Sequence, residues 1–405
     1  MKRSILTLMF CLVTVWVGAQ QVFQPEQHRK VETDRADGRF LSTYGIAHAM
    51  LRDTKPKFAF TEDIDASNFA TWQKGLHDAM RLLMNHPETN NQPSPVCVST
   101  EQKEGYTLQK WEFYPLPHAV STFFVLVPDG LKKQVPGVLC IPGSHQPKEY
   151  LTGELPSRNM RSATAMHLVK KGYIAVVVDN PSTGEASDLE DKELKNSDYD
   201  YDNPSRIFLE LGWSWLGYTS YLDMQVLEWM KQHPSIRKDR IVVSGFSLGT
   251  EPMMVLGCLD ESIYAFVYND FLCQTQERAL SMTVPNQEGH REFPNSIRHL
   301  IPGWWNYFNF PDVVASLAPR PVILTEGGLD RDFDLIHRAY KVAGHPENVE
   351  THHYKKFEDA SMRKQITHVP EGLTRKEFFE TVNVDPGNHY YKNEFIMDWF
   401  DRIMK

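Results

Sequence analysis

Beyond its first 20 positions the sequence lacks any run of about 18 apolar residues, and it lacks any block of basic residues. The first absence leaves the rest of the chain without a candidate membrane-spanning helix. The second, together with a formal charge of −9, disfavours nucleic-acid binding, because phosphate backbones require a cationic surface. Internal repeats and low-complexity tracts are also missing, which argues against propellers and solenoids.

Cysteine is scarce. Beyond position 20 only Cys97, Cys140, Cys258 and Cys273 occur, with no CxxC pair and no spacing typical of metal ligands. We therefore expect no metal site. An even number permits two disulfides in an oxidising compartment, but Cys140 and Cys258 lie in apolar runs typical of buried thiols. Free thiols are favoured, and the disulfide status stays open.

The first 19 residues have the layout of a secretory signal peptide. Lys2 and Arg3 precede a mainly apolar stretch over residues 5–17, and small residues lead to an expected cleavage after Ala19. The pattern predicts a periplasmic or extracellular protein with no membrane span in its mature form.

Two sections follow. In residues 20–94, "NFATWQKGLHDAMRLLMN" places apolar side chains at helical spacing and predicts an N-terminal helical appendage. Residues 95–405 begin with two runs typical of antiparallel strands, "YTLQKWEFYPL" and "AVSTFFVLVPDG". From about residue 136, short apolar runs then alternate with helical patterns. This alternation predicts an α/β fold with a doubly wound, mostly parallel sheet, whose ligands bind at the carboxyl ends of the strands.

The segment "VSGFSLGT" carries the chemistry most clearly. Gly245, Ser247 and Gly249 match the G-x-S-x-G pattern, in which small flanking residues permit a serine on a strained turn. The apolar run "DRIVV" precedes the pattern and a helical segment follows it, which is the strand–turn–helix context that a nucleophilic serine requires.

A serine nucleophile needs a histidine base, an acid and an oxyanion hole. Downstream, "TEGGLDRD" presents Asp330 and "PGNHYY" presents His389, in the chain order serine, acid, histidine. Asp270, at the end of "IYAFVYND", is the alternative acid. The backbone amides of Leu248 and of Ser144 in "CIPGSH" are the expected oxyanion donors.

These motifs resemble those of the α/β-hydrolase superfamily, and specifically its secreted bacterial branch near dienelactone hydrolases, acetyl xylan esterases and glucuronoyl esterases. The resemblance implies a serine esterase without cofactor or metal, acting on ester-decorated plant glycans. Glucuronoyl esterases carry arginine after the nucleophile and one type of acetyl xylan esterase carries glutamine, whereas this chain has Leu248. Removal of O-acetyl groups is favoured, methyl esters of uronates are the alternative, and a non-catalytic glycan-binding module is a further hypothesis of another class.

Two other stretches bear on the substrate. Residues 187–202 are strongly acidic and predict a solvated insertion that repels free polyuronates, although their aspartates fail the EF-hand spacing. The segment "GWWNYFNF" offers Trp304 and Trp305 either as buried packing or as a surface for sugar stacking. The sequence does not indicate an oligomeric state.

Overall fold

A nine-stranded sheet organises the molecule, with strand order β1-β2-β3-β5-β4-β6-β7-β8-β9. The computed structural model describes residues 31–88, 94–155, 160–187, 201–286, 291 and 297–404. Strands β1, β2 and β3 are antiparallel, β3 pairs antiparallel with β5, and every later pairing is parallel. The predicted doubly wound, mostly parallel sheet is confirmed.

The strands are β1 (Val96–Lys103), β2 (Tyr106–Phe113), β3 (Ser121–Pro128), β4 (Val135–Ile141), β5 (Ile174–Val178), β6 (Ile236–Phe246), β7 (Ala265–Asn269), β8 (Val322–Leu324) and β9 (Val349–Thr351). The α-helices are α1 (Thr43–Asp53), α2 (Phe69–Met84), α3 (Lys148–Thr152), α4 (Thr164–Lys170), α5 (Asp202–Glu210), α6 (Trp215–Gln232), α7 (Thr250–Leu259), α8 (Thr275–Thr283), α9 (Trp304–Tyr307), α10 (Phe310–Ala315), α11 (Asp330–Val342), α12 (Arg375–Thr381) and α13 (Asn393–Ile403). Short 3₁₀ helices lie at Met160–Ser162, Gly184–Ala186, Ser247–Gly249, Ile297–His299, Pro346–Asn348, Lys355–Phe357, Ala360–Met362 and Pro386–Asn388.

Helices cover both faces of the sheet, which explains why its central strands show no polar alternation. In β4, Leu139 and Ile141 belong to the apolar core shared with α2, α6 and α7. Val138 and Cys140 belong to the core on the opposite face, shared with α4 and α13. Because side chains alternate between two dry faces, a strand of this kind must be apolar throughout.

The predicted N-terminal helix is α2. Its apolar stripe, which includes Trp72, Leu76 and Met80, is buried in the same core as one face of the sheet. The expected signal peptide (residues 1–19) and the larger part of the acidic 187–202 stretch lie outside the described residues. Within the described ranges no helix is both long and apolar enough to cross a bilayer.

All four cysteines of the described region are free thiols. Cys140, Cys258 and Cys273 are buried, whereas Cys97 is exposed on β1. Burial raises the pKa of Cys258 and of Cys273 to about 12, because a thiolate loses its hydration there. These buried thiols therefore act as small apolar side chains.

Candidate active site

Ser247 lies on the sharp turn between β6 and α7. Its φ of 51° is in the left-handed region that residues other than glycine seldom adopt. The two flanking glycines explain how the turn closes: a Cβ on Gly245 would lie 2.4 Å from the Gly249 carbonyl oxygen, and one on Gly249 would lie 2.3 Å from the Ile141 carbonyl oxygen. The sequence pattern thus reflects a steric requirement of the backbone, and the strain is stored at a serine.

The loop after β4 runs directly beside this turn. A Cβ on Gly143 would lie 3.1 Å from the Cβ of Ser247. The Gly143 amide donates to Gln146 Oε1 at 3.2 Å, and the His145 amide donates to the Tyr201 hydroxyl at 2.9 Å. Two of the three successive amides in this loop are therefore engaged inside the protein, and the amide between them belongs to Ser144.

Residues that follow β5 hold this loop in place. The Asn180 side-chain amide donates to the Pro142 carbonyl at 2.8 Å and to the Gly143 carbonyl at 3.2 Å. Asp179 accepts from the backbone amide of Lys148 at 2.7 Å and from its ammonium at 2.6 Å. The Lys148 side chain is fully buried, so this ion pair fixes the end of the loop without solvent screening.

His389 pairs with Glu326, which the sequence reasoning missed. His389 Nδ1 lies 2.5 Å from Glu326 Oε2, and the Glu326 side chain has no exposed surface. The ring of His389 also stacks on Phe246, the residue before Ser247, with centroids 4.8 Å apart and planes 26° apart. The histidine is thus oriented from both sides, by the acid and by the end of β6.

The expected pairing of Asp330 with His389 is wrong. Asp330 begins α11, and its carboxylate contacts His353 Nε2 at 3.0 Å and Arg363 Nη1 at 3.4 Å. It ties α11 to the segment after β9. Glu326 stands two residues after the last residue of β8, at the carboxyl end of this strand, which pairs with β7. Its position directly at a strand end, as with Asp270 after β7, is the signal that could have found it.

Glu326 accepts hydrogen bonds from three further groups. The Tyr354 hydroxyl donates to Oε2 at 3.0 Å, while the Lys392 ammonium and the Tyr390 amide donate to Oε1 at 2.9 and 3.1 Å. Lys392 is itself 4 % exposed and lies over the Tyr390 ring. A buried carboxylate with this many donors is held in one orientation.

Asp270 is a second acid at the same place. Oxygen atoms of Asp270 and Glu326 and a ring nitrogen of His389 all lie within 4.8 Å of one another. Burial raises the pKa of Asp270 to about 7, the charge of Glu326 adds to the rise, and His389 opposes it. Groups of this kind can bind a metal ion. A metal is not needed to explain the position of Glu326, because His389 and Lys392 already bind its carboxylate.

The environment also shifts the pKa of His389. Burial lowers the pKa of His389, but the charge and hydrogen bond of Glu326 and the charge of Asp270 raise it, and the net shift is upward. A carboxylate that favours imidazolium increases the basicity of the ring, which suits a proton acceptor.

A cavity of about 660 Å³ opens over these groups. Its lining includes five residues singled out in the sequence: Ser144, Ser247, Leu248, Asp270 and His389. Trp304 and Trp305 instead line an adjoining cavity of about 560 Å³, which shares Glu251 and His299 with the first. Trp304 is 6 % exposed and packs edge-on against Phe308, so buried packing describes it better than a sugar-stacking surface.

Comparisons with known proteins agree with this architecture. A candidate acetyl xylan esterase from Bacteroides fragilis has a solved structure that is 59 % identical, with a TM-score of 0.90, covering 94 % of this chain and 100 % of its own. A methylesterase structure shares the fold at 17 % identity and a TM-score of 0.51, covering 77 % of this chain and 63 % of its own. No curated protein matches the sequence.

The sequence model of the Abhydrolase family matches residues 22–402, nearly the whole chain. With the parallel sheet and the strained serine after β6 already in place, this match means that the protein belongs to the Abhydrolase family and has the α/β-hydrolase fold.

Proposed function

We propose that this protein is a secreted serine esterase that removes small ester groups, O-acetyl groups first, from plant-type glycans. The observation that carries the proposal is the meeting of three groups at one site, Ser247, His389 and Glu326. A serine on a strained turn and a half-buried histidine both line the cavity, and the histidine is bound at Nδ1 by a fully buried carboxylate.

In the proposed acylation step, Ser247 Oγ attacks the ester carbonyl carbon while His389 Nε2 accepts the hydroxyl proton. Glu326, bound at Nδ1, fixes the tautomer and stabilises the imidazolium. The tetrahedral intermediate collapses, the carbon–oxygen bond to the sugar breaks, and His389 returns the proton to the departing sugar hydroxyl. Water, deprotonated by His389, then cleaves the acyl-enzyme and releases the carboxylic acid and free Ser247.

The developing oxyanion would be bound by the backbone amides of Leu248 and Ser144. Leu248 follows the nucleophile and is 4 % exposed, so its backbone is held in place by packing. We assign the second role to the Ser144 amide because the amides on either side of it are already engaged. The Gly143 amide donates to Gln146 and the His145 amide donates to Tyr201. Loss of one such donor typically lowers kcat by about 10²–10³-fold.

The preference for O-acetyl groups is supported by the 59 % identical relative named as a candidate acetyl xylan esterase. A methyl ester of a uronate is the alternative. The two differ in where the sugar must fit, since the sugar is the leaving group of an acetyl ester but the acyl group of a methyl ester.

A product assay tests the proposal. The purified protein is incubated with acetylated xylan and with methyl-esterified pectin fragments, and acetate and methanol are quantified. Acetate from xylan is expected, and methanol without acetate would move the assignment to the alternative.

Ser247→Ala should remain folded, lose turnover by about 10³-fold or more, and no longer be labelled by a fluorophosphonate. A folded wild-type protein that releases neither product and is not labelled would instead be a binding module.

A further inference from the structure

Arginines dominate the charge of the cavity that holds Ser247 and His389. Its lining contains Arg278, Arg298 and Arg375. The acids of the same wall are Glu251 and Asp270, and each lies beside a histidine: Glu251 Oε1 is 2.6 Å from His299 Nδ1, and Asp270 lies close to His389. In the described part of the chain, the cavity is therefore a cationic site, although the protein as a whole is acidic.

Arg298 stands beside the loop expected to bind the oxyanion. Its guanidinium lies 4.2 Å from the centre of the Tyr201 ring, and its Nη2 donates to Ser144 Oγ at 2.9 Å. The residue is 9 % exposed, and its buried Nε has no hydrogen-bond partner among the described residues. A buried guanidinium held by one hydroxyl and a ring face has lost hydration that a planar anion could replace.

A second cationic wall faces the cavity from α8 and α12. Arg278 lies over the rings of Phe271, Phe378 and Phe379, at 5.5, 5.8 and 6.0 Å. Arg375 also lies over the Phe379 ring, 5.6 Å from its centre. Arg375 forms no ion pair with any residue that the structure describes. Arg375 therefore presents a charge that a carboxylate bound in the cavity would neutralise.

We propose that this arginine-lined cavity binds a carboxylate on the substrate, so that the glycan carrying the ester is acidic. This inference rests on the proposed esterase function and narrows its substrate class to esters on, or next to, a uronic acid with a free carboxyl group. It reverses the expectation drawn from the acidic 187–202 stretch, because the groups that line the cavity attract the carboxylates that this stretch was expected to repel. Arginine suits the task because its planar fork can donate two parallel hydrogen bonds to a carboxylate.

The test compares three acetylated substrates: neutral xylo-oligosaccharides, xylo-oligosaccharides carrying one glucuronic acid substituent, and oligogalacturonides. The second and third arms place the carboxylate on a neighbouring ring or on the ester-bearing ring. At low salt, at least one acidic arm should give about a tenfold higher kcat/KM than the neutral arm, and added NaCl should reduce this ratio. Equal values in all three arms would overturn the inference.

Variants locate the effect. Arg375→Gln and Arg298→Gln should each lower the acidic-to-neutral ratio of kcat/KM by about tenfold. Arg237→Gln is the matched control, since Arg237 pairs with Asp239 near the start of β6, at the opposite end of that strand from Ser247. It should leave the ratio unchanged. If one of these two cavity variants keeps the wild-type ratio, its arginine does not belong to the carboxylate site. If both variants keep that ratio, the inference is overturned.

Binding separates this inference from the proposed function. Deacetylated oligosaccharides with and without glucuronic acid are titrated calorimetrically into Ser247→Ala protein, which needs no turnover. Tighter binding of the acidic oligosaccharide, lost in Ser247→Ala/Arg375→Gln, supports the carboxylate site even if no ester is cleaved. Equal binding of both oligosaccharides by a protein that releases acetate would leave the esterase intact and overturn the carboxylate site.

Discussion

The turn after β6 and the loop after β8 both present a side chain at the carboxyl end of a parallel strand, but they are constrained in different ways. At the first, backbone atoms allow no alternative: a Cβ on either flanking glycine would meet a carbonyl oxygen at 2.4 Å or less. In the loop after β8, Glu326 and Asp330 lie four residues apart, but their carboxylates bind different partners: Glu326 binds His389 and Asp330 binds His353.

The difference lies in what fixes each side chain. Ser247 is positioned by the backbone on which it stands, so its place follows from a short local pattern. Glu326 is positioned by partners distant in sequence, including Tyr354 and Lys392, which bind its two oxygens. Asp330 is positioned by His353 and Arg363, and these contacts hold α11 and do not orient Asp330 toward His389.

The largest expected effect separates the two carboxylates. Glu326→Gln should lower kcat by about 10³–10⁴-fold, because an amide cannot hold the histidine tautomer or stabilise imidazolium. Asp330→Asn should stay within a few-fold of wild type in kcat and instead reduce the free energy of unfolding by about 1 kcal/mol, since its ion pairs are partly exposed. Turnover of acetylated xylo-oligosaccharides and urea unfolding measure the two quantities. An inactive, folded Asp330→Asn beside an active Glu326→Gln would reverse the assignment.

The sequence was sufficient for the fold because burial on both faces leaves apolar runs that can be read directly, as in β4 and β5. It was sufficient for the position of Ser247 because a steric requirement is local. It was insufficient for the acid, since the choice between Glu326 and Asp330 depends on side chains 28 to 66 residues away that no short pattern contains. The same limit applies to Trp304, whose burial against Phe308 depends on how the crossover between β7 and β8 packs.

A second prediction tests the steric constraint on the serine turn. Gly249→Ala should destabilise the protein by about 2–4 kcal/mol, because the new methyl group must displace the Ile141 carbonyl at the end of β4. Gly387→Ala is the matched control: a Cβ there meets only Asp385 Oδ1, at an ordinary 3.6 Å, and should change stability by about 0.5 kcal/mol or less. Urea denaturation followed by tryptophan fluorescence measures both. Equal stability of the two variants would mean that the turn can relax around a Cβ.

The smallest expected effect concerns pH and the second acid. His389 must be neutral to accept the serine proton, so kcat/KM falls as the pH drops through its pKa, which lies above the ordinary histidine value. Asp270 contributes to that rise, because its negative charge favours imidazolium. Asp270→Asn removes this contribution and should move the acid limb of the pH profile to lower pH, while Glu326 keeps the histidine oriented. Since burial raises the pKa of Asp270 to about 7, this carboxyl group bears its charge mainly above neutral pH, and the displacement of the acid limb should be modest.

Asp330→Asn is the control and should leave the acid limb in place, because that carboxylate is bound by His353 and Arg363. A limb that moves to higher pH in Asp270→Asn would show that Asp270 acts on His389 through a hydrogen-bond arrangement and not through its charge.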